Sequence, residues 1–217
     1  MKKFSIYCSG NASRVIKFYS NKNNRNLFCP SGIFYDGQNK NIWKTLKSLF
    51  DDKVFYFNHD KLKTDELKKI NLTTSNKLLK FLVKNKSEYL LCFGNKILKN
   101  PLIEKYNRRI INFHPSLLPS FKGLNAVDQA LKAKVSFLGN TAHFIDEGID
   151  TGEIITQSAM LRSDFGDYED LLELQFPMLN IIFRDLFGFK TKKLIDSEIL
   201  QRNKPYFLDK KLKNIDQ

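Results

Sequence analysis

The chain has 217 residues, enough for one α/β unit with a sizeable core but short for two full domains. Hydrophobic residues make up 42 % and aromatic residues 13 %, which excludes a natively disordered chain. The formal net charge of +13 favours anionic ligands without choosing among phosphates, cofactors and nucleic acid. Because the basic residues are scattered and no aromatic and basic repeat accompanies them, we expect a solvated basic surface and no nucleic-acid partner.

The sequence contains no run of about 18 apolar residues, and its start, MKKFSIYCSGNAS, lacks the apolar stretch of a signal sequence. We therefore expect a cytoplasmic protein with no membrane association. Cys8, Cys29 and Cys92 fit neither a disulfide framework nor a zinc pattern, so we expect reduced packing residues and no metal site.

In the first half, short apolar runs alternate with stretches of helical period, a pattern typical of βα units. The predicted strands are FSIYC (4–8), GIFYDG (32–37), KVFYF (53–57), YLLCFG (89–94) and RRIINFH (108–114). Between them, amphipathic helices are predicted at 41–50 and 75–86. The predicted fold class is therefore α/β, a mostly parallel twisted sheet flanked by helices.

The second half of the sequence has a different pattern of predicted elements. A helix is predicted at 124–134, two strands joined by a turn at 139–160, and one long helix containing Pro177 at 168–187. We expect a single domain over 1–217, with a nucleotide-fold-like half at 1–107, a catalytic half at 108–190 and a peripheral tail at 191–217.

Two polar residues, Asn112 and His114, end the last strand of the first half. Being two apart, they project from one face at the strand's carboxyl end, where open α/β sheets bind ligands. The spacing of His143 and Asp150 further along, after Asn-x-His-Pro-Ser, makes a joint pattern that favours catalysis over a structural histidine. For His143 itself, structural support and active-site contact both stay open. A serine hydrolase is disfavoured because Ser116 lies in no G-x-S-x-G elbow.

INFHPSLLPSFKGLNAVDQAL (111–131), followed by GNTAHFIDEGIDTGEIITQ (139–157), resembles the catalytic core of the folate-dependent formyltransferases. The resemblance is continuous over 109–157 and extends more weakly to SGNAS (9–13) and CFGNKIL (92–98). It implies a formyltransferase (Rossmann-like) fold and an N-formyltransferase that uses N10-formyltetrahydrofolate as the formyl donor. The implied catalytic residues are Asn112, His114 and Asp150.

Formyl transfer to an amine suits these residue types. A tetrahedral intermediate places negative charge on the formyl oxygen, which Asn112 and His114 can stabilise as hydrogen-bond donors. The carboxylate of Asp150 can orient the imidazole and relay the proton of the amine. The scheme requires no metal.

The resemblance also implies binding residues. In the family, a loop with two glycines after the first strand holds a phosphate, but here Ala12 stands at the second glycine and Arg14 replaces an uncharged residue. For the acceptor, the expected residues are Ser9, Gly10, Asn11, Ser13, Arg14 and Gln175, the last standing where the family has an acidic residue. For the folate, they are Lys96, Leu98, Ile145, Asp146 and Glu147.

These departures, together with the divergence of residues 20–60, predict a changed acceptor, namely a nucleotide-linked amino deoxysugar of surface polysaccharide (lipopolysaccharide) synthesis. Glycinamide ribonucleotide of purine synthesis is the alternative. The expected partner is thus a small anionic amine, and a homodimer is left open. Methionyl-tRNA formyltransferase would need a further carboxyl-terminal RNA-contacting domain, and formyltetrahydrofolate hydrolase a further amino-terminal module. A non-catalytic folate-binding or nucleic-acid-binding protein is the remaining alternative.

Overall fold

The computed structural model describes residues 1–58 and 66–190, and the backbone of 206–209. The chain divides into two compact units, residues 1–111 and 112–217. Most of the tail predicted at 191–217 lies outside the described residues.

The first unit consists of short parallel strands joined by helices. Its strands are β1 (Phe4–Cys8), β2 (Gly32–Tyr35), β3 (Val54–Tyr56), β4 (Tyr89–Phe93) and the start of β5 (Ile110–His114). Its helices are α1 (Ser13–Ser20), α2 (Lys22–Leu27), α3 (Lys40–Phe50), α4 (Leu67–Lys84) and α5 (Leu102–Lys105), with a 3-10 turn at Asp51–Lys53.

Strand order places the ligand-binding edge of this unit. The strands lie in the order β3-β2-β1-β4, and the pairs β1–β2, β1–β4 and β2–β3 are all parallel. Because the chain runs outward from β1 through β2 to β3 and then returns to the other side of β1, the order reverses beside β1. Such a switch point opens a crevice at the carboxyl ends of the strands, next to the loops after β1 and β4.

Strands β1, β2 and β4 are almost wholly apolar, as expected where helices cover both faces of a parallel sheet. Every residue of β1 and β2 is buried. The ring of Phe81 in α4 packs against β2, with its centroid 5.5 Å from that of Phe34. The described helices include none long and apolar enough to cross a membrane.

The second unit begins within β5 and is built on an antiparallel hairpin. Its further strands are β6 (Phe137–Phe144), β7 (Ile154–Leu161) and β8 (Tyr206–Asp209), in the order β6-β7-β8. Its helices are α6 (Ala126–Lys132), α7 (Tyr168–Glu173) and α8 (Gln175–Ile181), with a 3-10 turn at Arg162–Asp164 and a π turn at Ile182–Leu186. The hairpin predicted at 139–160 is confirmed by the antiparallel register of β6 and β7.

The prediction of a single long helix over 168–187 is wrong in one respect. The chain leaves α7 at Leu174 and starts α8 at Gln175, which places Pro177 in the first turn of the second helix. Proline is tolerated there because the first N–H groups of a helix have no partner within it. Taken together, the elements have the predicted fold class, a mostly parallel sheet flanked by helices.

Gly139 marks the closest approach in the hairpin. A Cβ atom at this position would lie 2.3 Å from the carbonyl oxygen of Ser158 and 2.6 Å from Leu117 Cδ2. The carbonyl belongs to the paired strand and cannot move without disturbing the β6–β7 ladder.

We expect Gly139→Ala to lower the free energy of unfolding by about 1–3 kcal/mol, the range for overpacked interiors, as measured by urea denaturation. The matched control is Gly166→Ala, where the nearest atom is the end of the Asp170 side chain at 2.7 Å, which can swing away. Equal stability of the two variants would contradict the close approach.

Candidate active site

β5 carries the two polar residues predicted at its carboxyl end. Asn112 is partly exposed and His114 is 5 % exposed, with the buried ring of Phe113 between them on the opposite face. The alternation of a strand therefore presents Asn112 and His114 to the same side, as expected. Both belong to the second unit, as do the other members of the site.

Asp150 lies in the turn between β6 and β7, and its backbone has φ +51°. One carboxylate oxygen, Oδ2, accepts a hydrogen bond from the backbone N–H of Gly123 at 2.8 Å and lies 3.3 Å from His114 Nδ1. The other, Oδ1, lies 3.5 Å from His143 Nε2. His114 and Asp150 thus form one group with His143, in which the carboxylate lies between two imidazole rings.

His143 joins this group through a strand irregularity. The β6–β7 register shifts between Ala142 and His143, a bulge of the kind that re-aims a side chain near functional sites. Its Nδ1 donates to the carbonyl oxygen of Phe144 at 2.9 Å, and its Nε2 lies 3.2 Å from Asn112 Nδ2. Of the two options left open for His143, the geometry favours contact with the active site.

Each ring nitrogen of His114 faces a protein acceptor. Its Nε2 lies 2.8 Å from the carbonyl oxygen of Phe121, to which it can only donate, while Nδ1 faces Asp150. To donate to a substrate oxygen, a ring N–H of His114 must therefore share its hydrogen with its present acceptor or break its bond to that acceptor.

Burial and neighbouring groups shift the pKa of the Asp150 carboxyl in opposite directions. Its partial burial alone raises the pKa, but hydrogen bonds from His143 and from the Gly123 N–H, and the charges of the two imidazoles, lower it further than burial raises it. The net pKa lies below the usual value of an aspartate. Asp150 is thus held as a carboxylate at neutral pH, the form that can accept a proton.

The chain that follows His114 is held by the hairpin. Thr141 Oγ1 donates to the carbonyl oxygen of Ser116 at 2.7 Å and accepts from the N–H of Leu118 at 3.0 Å, while Gln157 Nε2 donates to the carbonyl oxygen of Leu118 at 3.0 Å. Thr141 and Gln157 face each other in the β6–β7 register. Sequence analysis missed Thr141 and Gln157.

Ser116 has a structural partner rather than a base. Its hydroxyl donates to the carbonyl oxygen of Ser120 at 2.7 Å. This contact gives no support to a serine nucleophile.

In the first unit, the loop after β1 has the bent backbone predicted for an anion site. Gly10 has φ +60° and Ala12 has φ +50°, so alanine keeps the left-handed conformation that a glycine would adopt more easily, at a cost of about 1–2 kcal/mol. The side chain of Asn11 accepts a hydrogen bond from the N–H of Ser13, the first residue of α1.

A buried carboxylate that sequence analysis missed anchors this loop. Asp36, directly after β2, is 1 % exposed and accepts hydrogen bonds from the hydroxyls of Tyr7, at 2.8 Å, and Ser9. The Ser9 hydroxyl in turn accepts from the N–H of Asn95, at 3.2 Å, in the segment after β4. The predicted acceptor loop and part of the predicted folate segment therefore meet at the switch point. The acidic residue directly after the second strand was a signal that could have identified Asp36.

The guanidinium of Arg14 lies over the ring of Phe93, 5.1 Å from its centroid, and its Nη2 is 3.5 Å from the Phe93 carbonyl oxygen. The predicted contact with an acceptor phosphate stays a prediction.

The predicted folate residues occupy both units. In the first, Lys96 is partly exposed and donates to Asn95 Oδ1 at 3.0 Å, while Leu98 is 4 % exposed. In the second, the turn of Ile145, Asp146 and Glu147 is organised by Asp146, which accepts from the N–H of Gly148 at 3.0 Å and from the Thr151 hydroxyl at 2.7 Å.

The acceptor contact predicted for Gln175 is not supported. Its side chain is fully buried and donates to Asn140 Oδ1 at 2.8 Å, while Asn140 Nδ2 donates to the carbonyl oxygen of Leu171 at 2.7 Å. This network ties α7 and α8 to β6, and we do not assign Gln175 to the substrate. Within 1–58 and 66–190, no group of three or more His, Cys, Asp or Glu side chains could hold a metal ion.

Comparison with known proteins identifies the family of the chain. Residues 2–171 match the family described as Formyl transferase. The chain therefore belongs to the formyl transferase family, and the resemblance found in its sequence is confirmed.

Two curated relatives match over a short stretch. Over 65 residues, 30 % of the chain, it is 51 % identical to the human trifunctional purine biosynthetic protein adenosine-3, of which this stretch is 6 %. Over 65 residues it is 49 % identical to the phosphoribosylglycinamide formyltransferase of Bacillus subtilis, of which the stretch is 33 %. The chain thus matches at most a third of the length of these two proteins.

A solved structure matches over a longer span. The phosphoribosylglycinamide formyltransferase from Streptococcus pneumoniae TIGR4 is 27 % identical, with a TM-score of 0.70, and the alignment covers 87 % of this chain and 100 % of that one.

The low pKa of Asp150 has a consequence for stability. Because its pKa is lower in the folded than in the unfolded chain, the carboxylate stabilises the fold above its unfolded pKa of about 3.9, and this contribution is lost as pH falls through the folded pKa. We expect the difference in unfolding free energy between the parent protein and Asp150→Asn to be largest near pH 6 and to shrink as the pH falls toward 3. Urea denaturation at a series of pH values measures it.

The control is Asp52→Asn, which removes the same charge from an exposed side chain. If the difference for Asp150→Asn changes with pH no more than the control's does, the hydrogen bonds assigned to this carboxylate are wrong.

Proposed function

We propose that the protein transfers a formyl group from N10-formyltetrahydrofolate to the primary amine of a small anionic acceptor. The observation that carries the proposal is the group formed by Asn112, His114 and Asp150 in a member of the formyl transferase family. Asn112 is tied to the carboxylate through His143.

In the proposed reaction, the acceptor nitrogen attacks the formyl carbon and the carbonyl electrons move to the formyl oxygen. Asn112 Nδ2 and a ring N–H of His114 donate to this oxygen as its negative charge develops. β5 fixes both residues on one face, and the ring N–H of His114 is shared with, or released by, its acceptor Phe121 or Asp150 as the charge develops. Collapse of the intermediate breaks the bond to N10.

Protons must move in the same sequence. The attacking amine loses a proton, and N10 of the departing tetrahydrofolate gains one. Asp150 is held as a carboxylate beside His114, so it can take up the proton of the amine, directly or through a water, and return one by way of the imidazole.

For the formyl donor we keep the residues that the sequence indicated, each unit taken by itself. In the first unit, Lys96 lies beside the buried Leu98, which fixes a segment whose backbone can bind the ligand. In the second, the tight turn around Asp146 supplies a fixed backbone for polar contacts with a planar ring. The bent loop at Ser9, Gly10, Asn11, Ser13 and Arg14 is assigned to the acceptor phosphate.

Two acceptors follow from different observations. The names of the relatives, phosphoribosylglycinamide formyltransferase among them, favour glycinamide ribonucleotide. The loop itself favours a nucleotide-linked amino deoxysugar, because Ala12 replaces a glycine and Arg14, absent from the family pattern, adds positive charge that suits a diphosphate.

Mass spectrometry decides between them. The purified protein is incubated with N10-formyltetrahydrofolate and a panel of amines that pairs glycinamide ribonucleotide with nucleotide-linked 3-amino and 4-amino deoxysugars. A mass gain of one formyl group on any of these acceptors supports formyl transfer, and the acceptor that gains it identifies the substrate. No gain on any acceptor, with the donor intact, would reject the proposed function.

The catalytic assignment predicts that Asn112→Ala and His114→Ala each lower kcat by about 10²–10³, because each removes one donor to the oxyanion. Steady-state kinetics with the formylated acceptor measures the effect. Asn107→Ala, at an exposed position, is the control and should leave kcat near the parent value. Turnover of either catalytic variant at the control's rate would remove its assigned role.

Arg14→Ala should raise the KM for the acceptor by about tenfold or more while changing the KM for the folate little, because a charge-assisted hydrogen bond to the phosphate is lost. The chain offers a matched control in Arg109→Ala. The Arg109 guanidinium lies 5.2 Å from the centroid of the Tyr106 ring and donates to a carbonyl oxygen, so its packing is like that of Arg14. Equal effects on both KM values would contradict the phosphate assignment.

A further inference from the structure

Three aromatic rings form a stack at the carboxyl ends of β2 and β3. Tyr35 and Tyr56 are the last residues of those strands, and their ring centroids are 5.8 Å apart with planes inclined by 21°. Trp43 of α3 stacks on Tyr56 at 5.6 Å and 22°. We call Tyr35, Tyr56 and Trp43 the aromatic stack.

The aromatic stack is continuous with the acceptor loop. The hydroxyl of Tyr35 donates to the carbonyl oxygen of Gly10 at 2.8 Å. A ligand whose phosphate lies on the loop can therefore extend along the carboxyl ends of β1, β2 and β3, the edge at which open α/β sheets bind ligands.

The stack carries two hydrogen-bond donors that the fold does not use. Trp43 Nε1 and the Tyr56 hydroxyl are buried atoms, and neither has a hydrogen-bond partner among the described residues. Buried donors without acceptors oppose folding, and native proteins rarely keep them without a reason. Phenylalanine at position 56 would keep the same ring contacts without an unpaired donor, and an apolar residue at position 43 would leave no unpaired N–H. The two donors thus indicate a ligand rather than a purely structural stack.

The exposed charges of helix α3 favour an anionic ligand. Helix α3 carries Lys40, Lys44 and Lys47 and no acidic residue. The Lys47 ammonium lies over the Trp43 ring at 5.8 Å from its centroid, near the outer limit of a cation–π contact, and its side chain is exposed. A planar ligand can displace it at small cost.

We propose that the aromatic stack is the subsite for the nucleoside part of the acceptor, so that the acceptor is a nucleoside diphosphate bearing the amine. The proposal rests on the function proposed above. The heterocycle adds to the open end of the stack on Trp43, and the ring-edge donors of Trp43 and Tyr56 serve ribose or phosphate oxygens. Glycinamide ribonucleotide has no heterocyclic base to place there.

The test uses the chain's one tryptophan, Trp43, as the probe. Its fluorescence is titrated with the diphosphates of uridine, thymidine, guanosine and cytidine, and with pyrophosphate and ribose 5-phosphate. We expect at least one nucleoside diphosphate to quench saturably, with a Kd at least tenfold below those of pyrophosphate and ribose 5-phosphate. If no nucleoside diphosphate binds more tightly than pyrophosphate, only the phosphate is recognised and the proposal is overturned.

Tyr56→Phe separates ligand binding from structure. It keeps the ring and deletes the unpaired hydroxyl, so the Tm should stay unchanged or rise while the nucleotide Kd rises about three- to tenfold. Trp43→Phe, followed by calorimetry, should also raise the nucleotide Kd, while its smaller ring lowers the Tm. If this variant fails to fold, Tyr56→Phe carries the test. The control is Tyr168→Phe, at an exposed tyrosine of the second unit. A Tyr56→Phe variant that binds the nucleotide as the parent does would overturn the proposal.

Parallel formyl-transfer assays keep the two proposals apart. Formylation of glycinamide ribonucleotide without nucleotide binding would overturn the nucleoside subsite and leave formyl transfer standing. Nucleotide binding that depends on Tyr56, without formylation of any amine, would reject the enzymatic function and leave the subsite standing.

Discussion

The candidate active site depends on one carboxylate. Asp150 touches His114, faces His143 and accepts the N–H of Gly123, so a single side chain connects the strand end, the hairpin and the turn before α6. Each of these groups lies elsewhere in the sequence, and each has its position fixed by a separate element. Because both imidazoles face the same carboxylate, a displacement of that carboxylate alters the contacts of both rings.

The two units contain different kinds of strand pairing. The first unit offers what parallel strands provide, a row of loops at their carboxyl ends, and the loop after β1 is anchored there by Asp36 and Tyr35. The second unit offers an antiparallel hairpin, whose turn can hold a charged residue against β5. The loop proposed for the acceptor thus follows a parallel strand, and the carboxylate of the candidate active site lies in the turn of an antiparallel pair.

Sequence patterns predicted the parts of this arrangement that depend on local spacing. Asn112 and His114 share a face because strands alternate, and the hairpin was predicted because apolar runs flank a turn rich in Gly and Asp. Contacts between distant segments were beyond such patterns. The bulge at His143 shifts the register by one residue, but the alternation of polar and apolar residues in the sequence hardly changes there. Gln175 is a polar residue on a helix, and its sequence position fits a substrate contact as well as a buried partner such as Asn140.

The loop after β1 shows where its shape is specified. Ala12 occupies a left-handed conformation without the freedom of glycine, while Tyr35 and Asp36 hold the neighbouring residues Gly10 and Ser9. Much of the restraint on the loop therefore comes from the second strand and the residue after it. A change at Ala12, whose side chain makes none of these bonds, leaves the bonds of Tyr35 and Asp36 to the loop in place.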